Sequence, residues 1–469
     1  MWLGSNRVCH RRLALGDVLH ALTPVLQGVV LASAVLLARA AHCTPIDLLA
    51  EPTQAANATD EPMPLRNAVR ALRSGDRDAA LRLLRQSQVD RPDLAPAEIL
   101  LANLYVTEGQ PDQARQVLEE SAVLYPEDPE PHLMFADLAW RQRHITDACV
   151  QYQRALELAA DFNGSPARQA KLKVWALAGL GSVAEARGQL ETAGELYREL
   201  LKLDPRHPQA RFRMGHVLFG LGQVDEAVEQ FRAAREFHDS APMAELTVAG
   251  LYQQAGDLTQ VEPWIQRAVD AAPKDVVPLI AMARFQLDVR HDAEEAGAFV
   301  ERAVQVAPKA REPQLLRGEV AWRLGKLAEA EKILEKMVLQ APDDLAANIA
   351  LTGVLAEQDD PNRRRRAEEL ALLTAADNPQ SADAAATLGW VEFQLGKFAQ
   401  AEQQLRAAVQ MPGASRDAKY YLARVLYRRG QIAAAQQMLR EVLAANGPFV
   451  HLREARAWRL EVDGSPAKP

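Results

Sequence analysis

Apolar residues recur along this chain at the three- and four-residue spacing of an amphipathic helix, not at the alternating spacing of a strand. One such face consists of Leu190, Ala193, Leu196, Tyr197, Leu200 and Leu201. Short polar stretches that contain glycine, often with a proline further on, separate these faces. The pattern predicts an all-α chain of short helices joined by tight turns.

A second pattern has a much longer period. A turn residue is followed five positions later by a small residue and then, four positions on, by a bulky apolar one, as in Gly325, Ala330 and Leu334. The turn positions are 75, 109, 143, 188, 222, 256, 291, 325, 362, 396 and 430, and seven of the ten intervals are 34 residues. Eleven helix-turn-helix copies of this length resemble the tetratricopeptide repeat (TPR) family.

Each residue type in this pattern has a mechanical role. Small residues seven positions before the turn, such as Gly181 and Gly318, are expected to let the first helix of a pair approach the second. Glycine at the turn accepts the left-handed conformation that ends a helix, and proline stops the second helix. Arg143, His291 and Asn362 stand in place of the turn glycine in three copies.

The resemblance covers residues 62–448 and implies a right-handed TPR solenoid of tandem helix pairs. The interval of 45 residues predicts a loop inserted near 161–171, and the interval of 37 predicts a longer turn around Glu357–Asn362. Residues 449–462 have helical spacing but no second helix, so they are expected to form a capping helix. Residues 463–469 are expected to be a disordered tail.

The amino terminus carries a separate signal. Arg7, Arg11 and Arg12 precede an apolar run from Val25 to Ala38, and small residues surround position 39. Residues 1–40 therefore predict a secretory signal peptide. Alternatively, residues 18–38 form an uncleaved anchor in the inner membrane, or the start of the chain was wrongly assigned. The first two interpretations place the repeats in the periplasm or outside the cell, behind a flexible linker at 41–61.

Composition and motif searches exclude several classes of function. The formal net charge of −8 argues against nucleic acid as the main partner, because phosphate binding calls for a basic surface. The ten histidines show no zinc spacing, and neither Cys-x-x-Cys nor Gly-x-Ser-x-Gly occurs. We therefore expect no catalytic residues, no cofactor and no metal site. The run Arg363–Arg366 is either a phosphate-binding site or a solvated face neutralised by the neighbouring acids.

The family resemblance implies that first helices line a concave groove. Residues ten, six and three positions before each turn are expected to face it. The candidate partner-binding residues are Asn103, Asp137, Trp140, His216, Phe219, Glu319, Trp322, Trp390, Phe393 and Tyr427. Aromatic side chains flanked by polar groups suit an extended peptide or a partner helix. The alternative is that these rings pack between neighbouring units.

The expected function is that of a non-catalytic scaffold or adaptor for protein partners. The resemblance to exported bacterial TPR proteins implies a role in assembling a cell-envelope complex. One alternative is a structural or regulatory subunit that self-associates through its convex face. A second alternative is an enzyme with an unrecognised site in the 161–171 loop. The oligomeric state stays open at this point.

Overall fold

The computed structural model describes residues 63–91, 94–238, 241–445 and 447–463. The predicted signal peptide or anchor at 1–40, the linker at 41–61 and residues 464–469 of the predicted tail lie outside the described residues. Contacts divide the described chain into an amino-terminal unit, which ends at Leu251, and a carboxyl-terminal unit, which begins at Tyr252. Every regular element in these ranges is helical.

The amino-terminal unit is a stack of antiparallel helix pairs. Its helices are α1 (Met63–Arg73), α2 (Arg77–Asp90), α3 (Ala97–Thr107), α4 (Pro111–Leu124), α5 (Glu130–Arg141), α6 (Ile145–Ala160), α7 (Pro166–Ala186), α8 (Leu190–Leu203), α9 (Pro208–Gly220), α10 (Val224–Phe237) and α11 (Ala244–Gln254), the last of which crosses the division.

The carboxyl-terminal unit repeats this arrangement and ends on a single helix. Its helices are α12 (Leu258–Ala271), α13 (Val276–Phe285), a π-helix (Gln286–Arg290), α14 (Ala293–Val306), α15 (Arg311–Arg323), α16 (Leu327–Gln340), α17 (Leu345–Glu357), α18 (Pro361–Asp377), α19 (Ala382–Gln394), α20 (Phe398–Gln410), α21 (Arg416–Arg428), α22 (Ile432–Ala444) and α23 (Leu452–Asp463).

The predicted turn positions adopt the left-handed conformation everywhere except at 362. The two non-glycine residues among them are also left-handed, with φ of 60° at Arg143 and 58° at His291. At Gly325 the chain reverses through paired backbone bonds, in which Gly325 N donates to Trp322 O at 2.8 Å and Lys326 N to Ala321 O at 2.9 Å. This is the helix-ending motif that the sequence predicted.

The close approach of paired helices is confirmed. A Cβ added to Gly318 would lie 2.6 Å from a side-chain carbon of Leu334, and one added to Gly181 would lie 2.5 Å from the ring of Tyr197. In both pairs a small residue seven places before the turn meets a bulky residue nine places after it. A larger side chain at either glycine would force the helices apart.

The expected inserted loop at 161–171 is wrong beyond residue 165. Ser165 caps the start of α7 by accepting from Arg168 N, and Pro166 occupies its first turn. The loop 161–165 has the same length as the loop 125–129, so the insertion does not lie in a loop. It lies in the helices: α7 has 21 residues whereas α5 has 12, and α6 has 16 residues whereas α4 has 14. The extra residues are helical because the capping serine and proline start α7 early.

The expected longer turn at 357–362 is also wrong. Helix α17 ends at Glu357 and α18 begins at Pro361, so Asn362 lies inside the first turn of α18. Asp360 caps this helix by accepting from the backbone N–H groups of Asn362 and Arg363. The three extra residues therefore lengthen α18, which has 17 residues where α16 has 14.

The arginine run lies in this lengthened part of α18, beside carboxylates. Arg363 pairs with Glu331 at 3.0 Å, Arg364 with Asp359 at 3.2 Å and Arg366 with Glu335 at 2.7 Å. Because three of its four guanidinium groups already have acidic partners, the run is largely neutralised within the carboxyl-terminal unit.

Candidate functional site

In the amino-terminal unit a polar ladder connects three consecutive first helices. Asn103 of α3 donates to Glu130 Oε1 of α5 at 3.3 Å, and Arg168 of α7 donates to Glu130 Oε2 at 2.8 Å. Arg168 also pairs with Asp128 at 2.8 Å. Burial raises the pKa of Glu130, although Arg168 opposes this. The ladder holds the candidate residue Asn103 in a defined, half-buried position.

Trp140 and Phe219 occupy the same repeat position, three residues before the turn. Both side chains are half-buried. Trp140 packs against the core of its unit with one part of its ring. The rest of each ring remains accessible. Both residues belong to what we call the first-helix surface, which consists of the side chains ten, six and three positions before each turn.

His216 lies one turn of α9 before Phe219 and is half-buried. Its ring meets Phe212 edge-to-face at 4.8 Å between centroids and Phe231 at 5.4 Å. Burial lowers the pKa of His216 to about 3, with a further contribution from the Arg213 charge. The imidazole therefore stays neutral at physiological pH and acts as part of an aromatic cluster.

Asp137 does not face an open groove. Its side chain is 2% exposed, and its carboxylate accepts hydrogen bonds from the Tyr152 hydroxyl and, at 3.4 Å, from Trp175 Nε1. Burial and the neighbouring carboxylate raise the pKa of Tyr152 well above its usual value. Because donors on α6 and α7 occupy it, Asp137 ties three helices together instead of presenting a free carboxylate.

Three candidate rings of the carboxyl-terminal unit, Trp322, Trp390 and Phe393, are buried, whereas Tyr427 is half-buried. Trp390 is only 4% exposed, and its ring stacks on Phe393 at 5.2 Å and on Tyr421 at 4.4 Å between centroids. Trp322 donates from Nε1 to Glu357 Oε2 at 2.8 Å. The expectation that Trp322, Trp390 and Phe393 line an open groove is therefore wrong for this unit.

The carboxyl-terminal end of the chain covers this aromatic surface. We call residues 449–463, which include α23, the arm. His451 of the arm is 5% exposed and lies between two carboxylates, with Nε2 2.7 Å from Glu357 Oε1 and Nδ1 2.8 Å from Asp417 Oδ1. Its ring stacks on Tyr420 at 5.4 Å and meets Trp390 edge-on at 5.7 Å.

The charge state of His451 follows from these contacts. Burial alone would lower its pKa, but the hydrogen bonds and charges of Asp417 and Glu357 outweigh burial and raise the pKa to about 10. The imidazole is therefore a cation at neutral pH, held in a charge-assisted pair with each carboxylate.

The rest of the arm extends the same contact. Trp458 of α23 meets Tyr427 edge-on at 5.4 Å, and the Arg424 guanidinium lies 4.9 Å from the Trp458 ring centroid. Phe449 is fully buried against Tyr420. The candidate residue Tyr427 thus contacts the arm, whereas Glu319 accepts from Arg284 at 2.5 Å within the unit.

The segment 161–171 uses its polar side chains to join helices. Gln169 donates to the carbonyls of Ala159 and Ala160 at the end of α6, and the Arg168 guanidinium lies over the Phe162 ring at 4.9 Å. Across the described ranges, no group of three or more His, Cys, Asp or Glu side chains is placed to hold a metal ion. These contacts account for the segment without assigning it chemistry.

Two family models, both described as tetratricopeptide repeat, match this chain. One matches residues 71–138, 184–247 and 290–361, and the other matches 133–208 and 386–450. Together they account for more than half of the 469 residues. The chain belongs to the tetratricopeptide repeat family. It has the all-α solenoid fold of that family, whose members generally mediate protein–protein interactions.

Three curated proteins are similar to this chain, and two of them are named as TPR repeat-containing proteins. A TPR repeat-containing protein of Pseudomonas aeruginosa is 25% identical over 43% of this chain and 34% of its own length. Cellulose synthase operon protein C of Pseudomonas fluorescens is 28% identical over 43% of this chain and 16% of its own length. TPR repeat-containing protein YpiA of Bacillus subtilis is 20% identical over 83% of this chain and 96% of its own length. The chain thus spans about a third and a sixth of the two Pseudomonas proteins.

Solved TPR structures resemble the chain more loosely. Yeast Tom70 has a TM-score of 0.36 at 12% identity and covers 85% of this chain and 95% of its own. The Cut9–Hcn1 complex of the APC/C has a TM-score of 0.39 at 18% identity and covers 86% of this chain and 74% of its own.

TPR sequence patterns pointed to Trp322 and Trp390 but did not reveal the two carboxylates that hold His451 of the arm. His451, Glu357 and Asp417 lie outside the repeat positions that were expected to face the groove. The helical spacing of 449–462 predicted a helix that caps the last repeat, but not the contact of His451 with Glu357 and Asp417. None of the described TPR helices is long and apolar enough to cross a bilayer.

Proposed function

We propose that this protein is an exported, non-catalytic scaffold that binds a protein partner on the first-helix surface of its amino-terminal unit. The observation that carries the proposal is the partial exposure of Trp140 and Phe219, which are half-buried at the same position of different repeats. The equivalent rings Trp322 and Phe393 of the carboxyl-terminal unit are buried.

The chemistry of this surface suits a peptide or helix from another protein. Aromatic side chains supply binding energy at little conformational cost, and polar neighbours orient the ligand. Asn103 and the Glu130–Arg168 pair supply such polar groups on the first helices of the same unit. Because these side chains already hold one another in place, little ordering is required when a partner binds.

The proposed place of action is the cell envelope. Support comes from the three arginines that precede the apolar run at 25–38, which are typical of an export signal. A second support is the similarity to cellulose synthase operon protein C, whose name associates it with the operon of a cellulose synthase. We infer that the scaffold, either released by signal cleavage or tethered by residues 18–38, helps to assemble an envelope complex.

Site-specific photo-crosslinking in the source organism tests the binding surface. A crosslinking amino acid replaces Trp140 in one strain and Val123, which is 82% exposed on the second helix α4, in a control strain. We expect protein adducts at 140 that Phe219→Ala weakens, and none at 123. Adducts at 123 alone, or adducts at 140 that Phe219→Ala leaves unchanged, would contradict the proposal.

Export has its own test. Alkaline phosphatase fused after Pro62 is expected to be active in a Gram-negative host, because this enzyme requires the oxidising periplasm. A fusion that lacks residues 1–40 serves as the control and should be inactive. An inactive full-length fusion that is stably expressed would refute export.

Self-association through the second helices is the competing proposal. Its support is a set of apolar side chains that are exposed on these helices: Val89, Val123, Leu124, Leu339 and Leu373. Light scattering distinguishes the two. A dimer that Leu339→Lys dissociates would favour self-association, and a monomer would favour the scaffold.

A further inference from the structure

We propose that the arm is a displaceable internal ligand of the carboxyl-terminal unit, and that its binding surface takes an amphipathic helix from a partner protein that carries the same anchor residues. The inference rests on the proposed protein-binding function and extends it to a second surface. It names the side chains that the partner requires.

The arm reaches further than a terminal cap needs to. A cap covers the exposed face of the last helix pair, here α21 and α22. His451 instead contacts Trp322 on α15, Glu357 on α17 and Trp390 on α19, as well as residues of α21. One arm residue thus meets four consecutive first helices, as a ligand on the first-helix surface would.

The helix of the arm has the form of a groove-binding ligand. Leu452, Ala455, Trp458 and Val462 are buried along one face at three- and four-residue spacing. The opposite face is exposed and carries charged residues and Leu460, which is 81% exposed. Helices recognised by grooves in other proteins present their anchors at this spacing.

The surface under the arm selects a cation just before the helix. Glu357 and Asp417 come from different helix pairs, and both accept from the His451 ring. Without a cationic ligand, the carboxylates of Glu357 and Asp417 would have no positive partner from the arm, which is unfavourable for partly buried charges. They would lie beside four aromatic rings, those of Trp322, Trp390, Tyr420 and Tyr421. A competing helix therefore needs a histidine, lysine or arginine at the position of His451.

One buried donor on the surface beneath the arm, the indole N–H of Trp390, is left unsatisfied. The indole N–H of Trp390 has no hydrogen-bond partner among the described residues, although the side chain is 96% buried. An unpaired buried donor is unfavourable, so a ligand that offers an acceptor there would bind better than the arm. The connection to the arm contains Gly447, whose φ is 107°, followed by Pro448. Gly447 and Pro448 thus turn the chain just before the arm.

The test uses the full-length chain and a fluorescent peptide of residues 447–463. In the unaltered chain the arm competes with the peptide, so apparent affinity is low. Trp458→Ala in the chain weakens the arm and is expected to raise peptide affinity by about tenfold or more. Leu460→Ala is the matched control on the exposed face and should leave affinity unchanged. A peptide that itself carries Trp458→Ala should not bind.

Two results would overturn the proposal. The first is a folded Trp458→Ala chain whose peptide affinity equals that of the unaltered chain. The second is hydrogen exchange in the unaltered chain that opens α21, α22 and α23 in one step, because the arm would then be an integral cap. Exchange of α23 ahead of α21 supports the proposal even when Trp458→Ala fails to fold.

Light scattering settles the identity of the occupant. A monomer supports an arm bound within its own chain, whereas a dimer lost in Trp458→Ala would assign the surface to the arm of a second copy and overturn the proposal. Failure of the Trp140 crosslinks would leave these peptide measurements unaffected, since they concern a different unit.

Discussion

His451 Nε2 lies 2.7 Å from Glu357 Oε1, although 94 positions separate the two residues in the sequence. The contact joins the arm to a first helix three repeats earlier, and Asp417 completes it from the other side of the ring. The repeat pattern alone predicts that the first helices of the carboxyl-terminal unit line an open groove. In the structure the arm occupies this surface.

Removing this cation should destabilise the carboxyl-terminal unit. His451→Ala leaves Glu357 and Asp417 without their shared partner, so we expect a loss of about 3 kcal/mol in the free energy of unfolding. Urea-dependent hydrogen exchange of the α21 backbone amides measures this loss of unfolding free energy. His144→Ala, at an exposed position of the other unit, is the control and should change stability little. An equally small effect of both substitutions would contradict the role of His451.

The same histidine predicts a pH dependence. The pKa of His451 is about 10 in the folded chain, against 6.5 for an unperturbed histidine. A raised folded-state pKa contributes stability that is complete below pH 6.5 and is lost as the pH rises through 10. The loss is on the order of 5 kcal/mol, at about 1.4 kcal/mol per pKa unit.

The groups that face His451 in this window are Glu357, Asp417, Tyr420 and Tyr421. Burial raises the pKa of Tyr420 and Tyr421, so both stay neutral through most of it. Urea melts between pH 6.5 and 10 measure the effect, and His451→Gln should flatten the profile. A decline of equal size in His451→Gln would show that another group is responsible.

Packing beneath the arm predicts a third effect. A Cβ at Gly353 would lie 2.4 Å from Cη2 of Trp322, whose indole N–H is bonded to Glu357. Gly353→Ala should therefore destabilise the carboxyl-terminal unit by about 1–3 kcal/mol. Gly250→Ala is the control, since no atom lies within 4 Å of its added Cβ. It should stabilise α11 by about 0.5–1 kcal/mol in thermal melts. Similar signs for the two variants would be inconsistent with the packing described.

The turn at Arg143 predicts a stabilising substitution. This residue has a φ of 60°, which costs a side-chain-bearing residue about 1 kcal/mol that glycine avoids. Arg143→Gly should raise the free energy of unfolding by about 0.5–1 kcal/mol in denaturant melts. Arg141→Gly, in the last turn of α5, should lower it by about 1 kcal/mol. A destabilised Arg143→Gly chain would mean that the guanidinium has a compensating contact.

Much of the fold was predictable because it depends on local geometry. The turn at His291 follows an interval of 35 residues, and the structure absorbs the extra residue in the π-helix Gln286–Arg290 without moving the turn. At Asn362 the turn predicted from the repeat interval was wrong, because Asp360 and Pro361 start α18 earlier. The three extra residues therefore lengthen α18 and do not lengthen the turn. Capping residues outweighed the repeat period there.

The candidate site was only partly predictable. Trp140 and Phe219 keep accessible surface, whereas Asp137 is taken up by Tyr152 and Trp175. A position counted from the turn indicates which face of a helix a side chain occupies. It does not indicate which other segment covers that face.

The order of residues along the chain was enough to establish helix pairs, their turns and the close contacts at small residues, because each depends on neighbours within about one repeat. Trp322 and Trp390 pack against neighbouring repeats, through Gly353 and Tyr421, and also against His451 of the arm. The contact with His451 and the ionisation of that residue depend on the arm folding back over earlier repeats. No local spacing encodes such a contact, since it forms only after the helix pairs have stacked and brought Glu357 and Asp417 to opposite sides of one imidazole.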